Sequence, residues 1–515
     1  MNRFSLLSVI LAAGGCVSPL VSSVTDAGPL ADAGASDGGP SDAGASDAGT
    51  QASAGWVAEH HARASRDGVY VDPALTPAAA RGLRLVAGFD ARPRGHVYAQ
   101  PLYVPGPGGA PVVVVATESN VVEARDAATG AVVWTRALGD PAPLSSLPCG
   151  NIDPLGVTGT PIADLAARTL YLDAMTWPAG APHHLVFALS LDDGATRAGW
   201  PVDVAAAVPG FDAHVQNQRG ALALLGGTLY VPFGGFYGDC GDYRGWVVGL
   251  STSQPGAASA WKTSAHGGGA WAPGGVASDG ASLFVATGNT FGATDWSGGE
   301  AIVHLAPGPV FSGAAADYFT PTNWRALDAA DLDLGGSGPV LFEAPGATPS
   351  KLALALGKDG SAWLLDREDL GGVSSGLAHK QVSSRELIGA AAAYTAPSGT
   401  YVVFRGKGLG CPGAANNLVA LRVIGSPPAL DVAWCAPYDG LGSPMVTTPD
   451  GASGFVVWIA GAEGSGRLTG YDGETGASVY AGTDPLSGLR RFSTPIAAGG
   501  RVYVAGDGRV YAFAP

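Results

Sequence analysis

The chain has 515 residues, of which only 14% are charged, whereas about a quarter is usual for soluble proteins. Its net charge of −15 argues against nucleic acid and anionic membrane surfaces as partners, because both attract clustered lysine and arginine. The 79 glycines, 38 prolines and 46% hydrophobic content favour many short strands joined by tight turns around a large core.

The first sixteen residues have the features of an export signal. Arg3 precedes an apolar run at residues 6–13 that is too short to span a bilayer. Residues 13–16, Ala-Gly-Gly-Cys, resemble a lipobox, although leucine is usual where Ala13 stands. We therefore predict a lipoprotein-type signal at 1–16 with lipid on Cys16, and ordinary signal cleavage is the alternative. The protein would be held in the periplasm or at the outer surface, touching membrane only through this lipid.

Residues 17–55 are predicted to be a disordered tether. Aspartates recur among alanine, glycine and serine, and residues 25–50 contain no lysine or arginine. Such a composition cannot bury enough apolar surface to offset its chain entropy.

From residue 83 to 515 a unit of four short strands, A to D, repeats. The turn at residues 126–130 joins C and D of the first unit, and Trp134 lies in its outer strand. The predicted A strands are Tyr98–Val104, Thr160–Asp164, Ala221–Leu225, Gly275–Ser278, Pro339–Phe342, Ala391–Tyr394, Pro444–Thr447 and Thr494–Ala497. The outer strands of the fourth and fifth units are poorly marked.

The eighth unit lacks its outer strand because the sequence stops after strand C, Val510–Phe513. Leu83–Phe89 can supply it, and closing a ring with strands from both termini removes free sheet edges. We therefore predict an all-β fold, an eight-bladed β-propeller of four-stranded blades closed by N- and C-terminal strands. A seven-bladed ring is the alternative.

Besides Cys16, the chain has four cysteines, namely Cys149, Cys240, Cys411 and Cys435. An even number of cysteines in an exported protein predicts two disulfides. The absence of any Cys-x-x-Cys pair excludes a zinc ribbon and a c-type haem site. Cys411 follows strand B and Cys435 closes strand D of one blade, so we pair them. Cys149 and Cys240 lie in same-face connections of nearby blades and form the other pair.

Unusual polar and aromatic residues gather where strand A opens or strand B closes. These positions share one face of a propeller, near its axis, and polar groups converging on a hollow mark a candidate site. The residues are Gln100, Thr160, Gln218, Arg219, Trp271, Asn289, Asp328, Asp331, Asp333 and Lys358. Polar residues and water also fill propeller centres that bind nothing. His60-His61 and His183-His184 lack the further ligands of a metal site.

Several of these residues resemble the pyrroloquinoline-quinone (PQQ) dehydrogenases and the wider family of PQQ-like repeat propellers. Trp271, followed 18 residues later by Gly288-Asn289, resembles that family's cofactor floor and its calcium-binding asparagine. The resemblance extends to three further stretches: Asp331-Leu-Asp333, Leu354-Ala-Leu-Gly-Lys358 and Arg244-Gly245. It covers residue 83 to the C-terminus and is clearest between 270 and 370.

The resemblance implies PQQ and calcium as candidate cofactors. Trp271, Lys358 and Arg219 would contact the quinone, and Asn289 would bind calcium. Asp331 or Asp333 would be the base that takes an alcohol proton. Cys240 stands where the family has a calcium-binding glutamate, so Asp239 or Asp242 would have to replace it.

Two functions follow from these observations. The family's adjacent cysteine pair is absent as well as the glutamate, which favours a binding or scaffold protein for an unknown protein or small molecule. The alternative is a PQQ- and calcium-dependent alcohol or sugar dehydrogenase that uses the axial site. Fold alone does not decide between them.

Overall fold

The computed structural model describes residues 55–515; the predicted signal, Cys16 and nearly all of the predicted tether lie outside them. Eight separate sheets confirm the eight-bladed β-propeller, and each blade runs from an inner strand A to an outer strand D. Within these residues the α-helices are Pro77–Arg81, Val204–Ala207 and Trp324–Ala330. None of the helices described is long and apolar enough to cross a membrane.

In the first four blades, strands A to D follow one another along the chain, and every neighbouring pair is antiparallel. Blade one has Leu102–Pro105, Pro111–Ala116, Val121–Asp126 and Val132–Ala137, and blade two has Ile162–Asp164, Thr169–Thr176, His183–Ser190 and Val202–Asp203. Blade three has Ala223–Leu225, Thr228–Gly235, Trp246–Ser251 and Ala258–Lys262, and blade four has Ala277–Ser278, Leu283–Thr287, Ala301–Leu305 and Tyr318–Pro321. Two short strands, Gln216–Asn217 and Gly372–Ser374, extend blades three and four.

The last four blades repeat this order. Blade five has Val340–Glu343, Lys351–Leu356, Ser361–Asp366 and Ala378–Gln381, and blade six has Ala392–Ala396, Gly399–Arg405, Leu418–Ile424 and Ala429–Ala436. Blade seven has Met445–Thr448, Val456–Ala460, Leu468–Asp472 and Ser478–Ala481, and blade eight has Ile496–Ala498, Arg501–Gly506 and Arg509–Ala514. Valine, leucine, alanine and aromatic side chains from adjoining blades pack between the sheets and form the core.

The two ends of the ring meet as predicted. Arg84–Leu85 pairs antiparallel with Arg509–Ala514 and is the outer strand of blade eight, and Ala91 bridges to Val510. The closing strand is shorter than the predicted Leu83–Phe89, because Leu83 and Phe89 turn into the core rather than into the ladder.

One element has no counterpart in the repeat. Residues 57–72 form the axial segment. They are hydrogen-bonded to the inner strands of six blades and to the turn after the inner strand of a seventh. Backbone bonds join Val57 to Tyr103, Ala58 to Ala163, Ala64 to Ser278, Ser65 to Leu341, Asp67 to Ala393 and Gly68 to Val446, and the Asp72 carboxylate accepts from Gly500. Arg66 donates to Leu222 O of the remaining blade. A segment that contacts all eight blades from within lies in the axial channel.

Candidate functional site

A cavity of about 500 Å³ opens at the face where the A strands begin. Its walls come from residues just before strand A or just after strand B, such as Thr160, Asn289 and Thr494. The hydrogen bonds to the axial segment lie deeper along the A strands, at Ala163 and Ser278 for example. The ring therefore forms the side walls and the axial segment forms the floor, where His60 lines the cavity.

The structure brings nearly all the predicted site residues into this cavity. Its lining includes Arg219, Asp239, Trp271, Asn289, Asp331, Asp333 and Lys358, contributed by blades three to five. Gln218, Asp328 and Asp242 do not line it; the Asp242 side chain is 73% exposed and pairs with Arg244. Gln100 and Thr160 also reach the cavity. Gln100 lies before strand A of blade one, which begins at Leu102 rather than at the predicted Tyr98.

Trp271 is the centre of a charged cluster. Its Nε1 donates to Asp333 Oδ2 at 3.0 Å, and Lys358 Nζ lies 3.2 Å from the same oxygen. Lys358 Nζ also lies 3.0 Å from Asp331 Oδ1 and 5.3 Å from the centroid of the tryptophan ring. The guanidinium carbon of Arg219 is 5.6 Å from that centroid. Two cations therefore flank one aromatic ring, which is a cation–π arrangement.

The electrostatics of the cluster follow from burial and pairing. Burial raises the pKa of Asp333 to about 6, although Lys358 acts in the opposite direction. Burial lowers the pKa of Lys358, but Asp333 and Asp331 outweigh it and leave that pKa raised. Lys358 is thus held as a cation beside two acidic side chains, and burial keeps the pKa of Asp333 above the ordinary value of an aspartate.

Arg219 differs from Lys358 because it has no carboxylate partner among the ion pairs of residues 55–515. One guanidinium nitrogen donates to Gly235 O at 2.9 Å, and the buried Nε has no hydrogen-bond partner. Burial lowers the pKa of Arg219. A partly buried guanidinium with an unused donor is costly unless an anion balances it.

Glycines bring the acidic segment against the Trp271 wall. A Cβ on Gly288 would lie 3.0 Å from both Trp271 Nε1 and Asp333 Oδ2, and one on Gly335 would lie 2.4 Å from Gly288 N. Side chains at these two positions would separate the strand end from the segment that carries Asp333. Close packing against Trp271 and Asp333 therefore requires glycine at position 288, the first residue of the Gly288-Asn289 pair.

Glu300 supports the same segment and was not predicted from the sequence. Its fully buried Oε2 accepts from Leu334 N at 2.7 Å, and Oε1 has no partner. Burial, followed by the charge of Asp333, raises its pKa far above the ordinary range. The hydrogen bond from Leu334 N to the Glu300 carboxyl group holds the turn after Asp333. The only signal of Glu300 in the sequence is that a glutamate comes immediately before strand C of blade four, Ala301–Leu305.

Both predicted cysteine pairs are bonded. Cys149–Cys240 joins residues 91 apart and borders the cavity, since a Cβ on Gly238 would lie 3.3 Å from Cys149 Sγ. Cys411–Cys435 lies within blade six. Behind the first bond, Asp239 Oδ1 accepts from Tyr243 at 2.6 Å, which draws Asp239 towards the cavity while Asp242 points away.

The donors fit a calcium ion poorly. Cys240 is consumed by the disulfide at the position where the resemblance expects a glutamate, and Asp331 and Asp333 are both paired with Lys358. Across residues 55–515, no three histidine, cysteine, aspartate or glutamate side chains are close enough to hold a metal ion. A planar anion fits better, because an aromatic face and an unpaired guanidinium are both present.

No protein-family model and no curated protein matched the sequence. Among solved structures, the quinohemoprotein alcohol dehydrogenase of Comamonas testosteroni is similar, with a TM-score of 0.60 and 16% identity over 90% of this chain and 81% of that one. The quinohemoprotein alcohol dehydrogenase ADHIIG of Pseudomonas putida HK5 gives 0.61 and 15% over 89% and 79%. A europium-containing methanol dehydrogenase gives 0.60 and 14% over 88% and 89%. The chain therefore has the eight-bladed propeller fold of the quinoprotein alcohol dehydrogenases.

Proposed function

We propose that this protein is a ligand-binding propeller of the cell envelope whose axial pocket holds a planar, anionic small molecule against Trp271. The observation that carries the proposal is Arg219, a partly buried guanidinium that lies 5.6 Å from the ring centroid, has an unpartnered Nε and has no carboxylate partner among the described residues. An anion in the cavity would complete its hydrogen bonds and balance its charge. The cavity volume is in the range of small-molecule sites.

The cell-envelope part of the proposal rests on the sequence of the N-terminus. A signal at 1–16 with lipid on Cys16, followed by a polar tether, would place the propeller at a membrane surface without inserting it. Such a protein would present its pocket to molecules of the periplasm or of the outside medium.

A second candidate is a PQQ-dependent alcohol or sugar dehydrogenase. Trp271, Asn289, Lys358 and Asp333 line one cavity, as the resemblance requires, and the similar structures named above are alcohol dehydrogenases. A bound quinone would supply the two-electron acceptor. In this chain Asp333, with its pKa raised to about 6 by burial, would be the group that takes a proton from an alcohol. The described residues do not supply the ligands that the calcium part of that chemistry needs.

The test is isothermal titration calorimetry of the purified protein with PQQ, with and without Ca²⁺. We expect Ca²⁺-independent binding that Arg219→Met weakens at least tenfold, since a charge-assisted hydrogen bond contributes about 1.5–3 kcal/mol. Arg219→Lys should recover part of the loss. Arg136→Met, on the exposed outer strand of blade one, is the matched control and should change nothing.

The other outcomes separate the candidates. Binding that requires Ca²⁺, together with reduction of an added dye by an alcohol, would establish the dehydrogenase and overturn the binding-module proposal. Absence of binding for PQQ and for simpler aromatic carboxylates would contradict both. Equal affinity of the wild-type protein and Arg219→Met would show that Arg219 does not hold the ligand.

A further inference from the structure

His60 forms part of the floor of the axial cavity although it belongs to no blade. It is only 2% exposed, and the little surface it retains contributes to the cavity lining. It is carried by the axial segment, which reaches this depth by threading the channel. A buried histidine beneath a polar cavity either completes a packed floor or contacts what the cavity holds.

The backbone around His60 is held from two sides. Gln100 Oε1 accepts from His61 N at 3.0 Å, and Gln100 Nε2 donates to Glu59 O at 3.2 Å, so one side chain brackets the residue. Arg66 donates to His60 O at 3.0 Å. The ring itself stacks on His61, with centroids 4.4 Å apart. Such fixed positions suit residues that must present a group precisely.

The ring of His60 nevertheless has unused hydrogen-bonding capacity. Its Nδ1 is buried and has no partner. In the neighbouring His61 the Nδ1 interacts with Arg66 O at 3.1 Å, and the buried Nε2 has no partner. Burial, His61 and Arg66 all lower the pKa of His60 far below the ordinary value, so the ring is neutral and carries one donor and one acceptor nitrogen. Packing alone would be served equally well by an apolar ring without an unsatisfied nitrogen.

Backbone strain is concentrated beside this residue. His61, Ala62 and Arg66 all have positive φ, at 57°, 64° and 63°. Non-glycine residues adopt this region at a cost and keep it only where the surroundings impose it, often at binding sites. Here the imposed path turns the His60 ring towards the cavity and the Arg66 guanidinium towards blades three and four.

We propose that His60 is a ligand-contacting residue, so that the N-terminal axial segment supplies the floor of the binding site. The ligand would be a planar anion that carries, besides the charge recognised by Arg219, an uncharged carbonyl or hydroxyl group that hydrogen-bonds the imidazole. This inference rests on the proposed function and adds to it a second recognition element outside the ring of blades. It also implies that a ring lacking residues 57–72 would have an incomplete pocket.

The experiment compares PQQ affinity in wild-type protein, His60→Phe and His60→Gln by calorimetry. We expect His60→Phe, which keeps a stacking ring, to bind about five- to tenfold more weakly, the loss expected for one hydrogen bond. His60→Gln retains a donor and an acceptor and should lose less than about threefold, by the same reasoning. His379→Phe, an exposed histidine on the outer strand of blade five, is the matched control.

The possible results are distinguishable. If wild-type protein binds PQQ and folded His60→Phe binds within twofold of it, the inference is wrong while the proposed function stands; this is also the result expected if only an internal water satisfies Nδ1. If wild-type protein binds nothing, both are wrong. Should His60→Phe fail to fold, ¹⁵N-histidine spectra of the wild-type chain decide: the His60 imidazole signals must shift on saturation with PQQ, and unchanged signals overturn the inference.

Discussion

The axial pocket has two kinds of wall, and they differ in how the sequence specifies them. The side walls come from repeat positions: Trp271 precedes strand A of blade four, and Asn289 and Lys358 follow strand B of blades four and five. The floor comes from residues 57–72, a segment that occurs once and pairs with inner strands far apart in sequence. A repeat shows where its own units converge, but it carries no information about a separate segment that fills the hollow they leave.

The largest expected effect comes from replacing Arg66, which anchors the axial segment to the blades. This side chain is 2% exposed, pairs with Glu59 at 2.9 Å and donates to Leu222 O and Val276 O of two blades. Arg66→Met should lower the free energy of unfolding by about 3–5 kcal/mol, since removing one partner of a buried pair leaves the other uncompensated. Denaturant titration followed by tryptophan fluorescence measures it.

Arg63→Met is the control for Arg66 within the same segment. Arg63 pairs with Asp67 across four residues and is one-third exposed, so its loss should cost less than about 1 kcal/mol. Equal costs for the two arginines would mean that the axial segment is not anchored through Arg66 and that the floor is independent of blades three and four.

The second prediction contrasts two disulfides, one beside the pocket and one away from it. Replacing either pair by serines should lower the free energy of unfolding by about 2–4 kcal/mol. Only the Cys149→Ser/Cys240→Ser variant should also weaken PQQ binding, because this bond borders the cavity near Gly238. Calorimetry on both double variants measures the difference, and equal affinities would show that the rim is held by other contacts.

The ring, its closure and the side wall of the pocket could be predicted from the sequence. Alternating strands and turns specify blades, and the missing eighth outer strand specifies closure at Arg84–Leu85. Trp271 and Asn289 were located because strand ends converge at the axis. The choice between Asp239 and Asp242 could not be made, since it depends on how Cys149 and Tyr243 shape one loop.

The axial segment could not be predicted for a different reason. Val69–Val71 is a short strand whose parallel partner, Met445–Thr448, lies at the far end of the chain. Nothing in the local pattern of His60-His61 distinguishes a buried floor from an exposed pair. The decisive contacts are long-range, such as Arg66 with Val276 O, and they depend on the assembled ring.

The third prediction concerns a buried acid in the ring, close to the pocket but outside its lining. Burial raises the pKa of Glu118 from 4.5 to about 7, and its Oε2 accepts from Gly156 N at 2.7 Å. The folded state therefore holds the proton more tightly than the unfolded chain. Stability should fall as pH rises from about 4.5 to 7, by about 1–3 kcal/mol, and this loss should then persist.

Glu118→Gln removes the ionisation without removing the hydrogen-bond acceptor. Its free energy of unfolding should exceed that of wild-type protein at pH 8 and approach it near pH 4.5, while PQQ affinity stays the same. A pH profile with the same slope in both proteins would mean that Glu118 is not protonated in the folded state. A change in PQQ affinity would extend the functional site beyond the walls described above.

The smallest expected effect distinguishes the role of Asp239 from that of Asp242, two residues that the sequence left as alternatives. Asp239 lines the cavity, whereas Asp242 is exposed and pairs with Arg244. If the ligand is an anion, Asp239→Asn should tighten PQQ binding about three- to fivefold, because it removes one like charge of roughly 1 kcal/mol influence at a partly solvated distance. The asparagine oxygen can still accept from Tyr243. Asp242→Asn should change the affinity less than twofold.

The direction in which Asp239→Asn changes PQQ affinity distinguishes two roles of the Asp239 carboxylate. A repelling carboxylate predicts tighter binding on neutralisation, and the gain should shrink as salt rises from 50 mM to 500 mM because exposed charges are screened. A carboxylate that helps to bind calcium predicts the reverse, namely weaker PQQ binding that is seen only with Ca²⁺ present. Calorimetry of Asp239→Asn at two salt concentrations, each with and without Ca²⁺, therefore tests whether the blade-three wall recognises the ligand directly or through a metal.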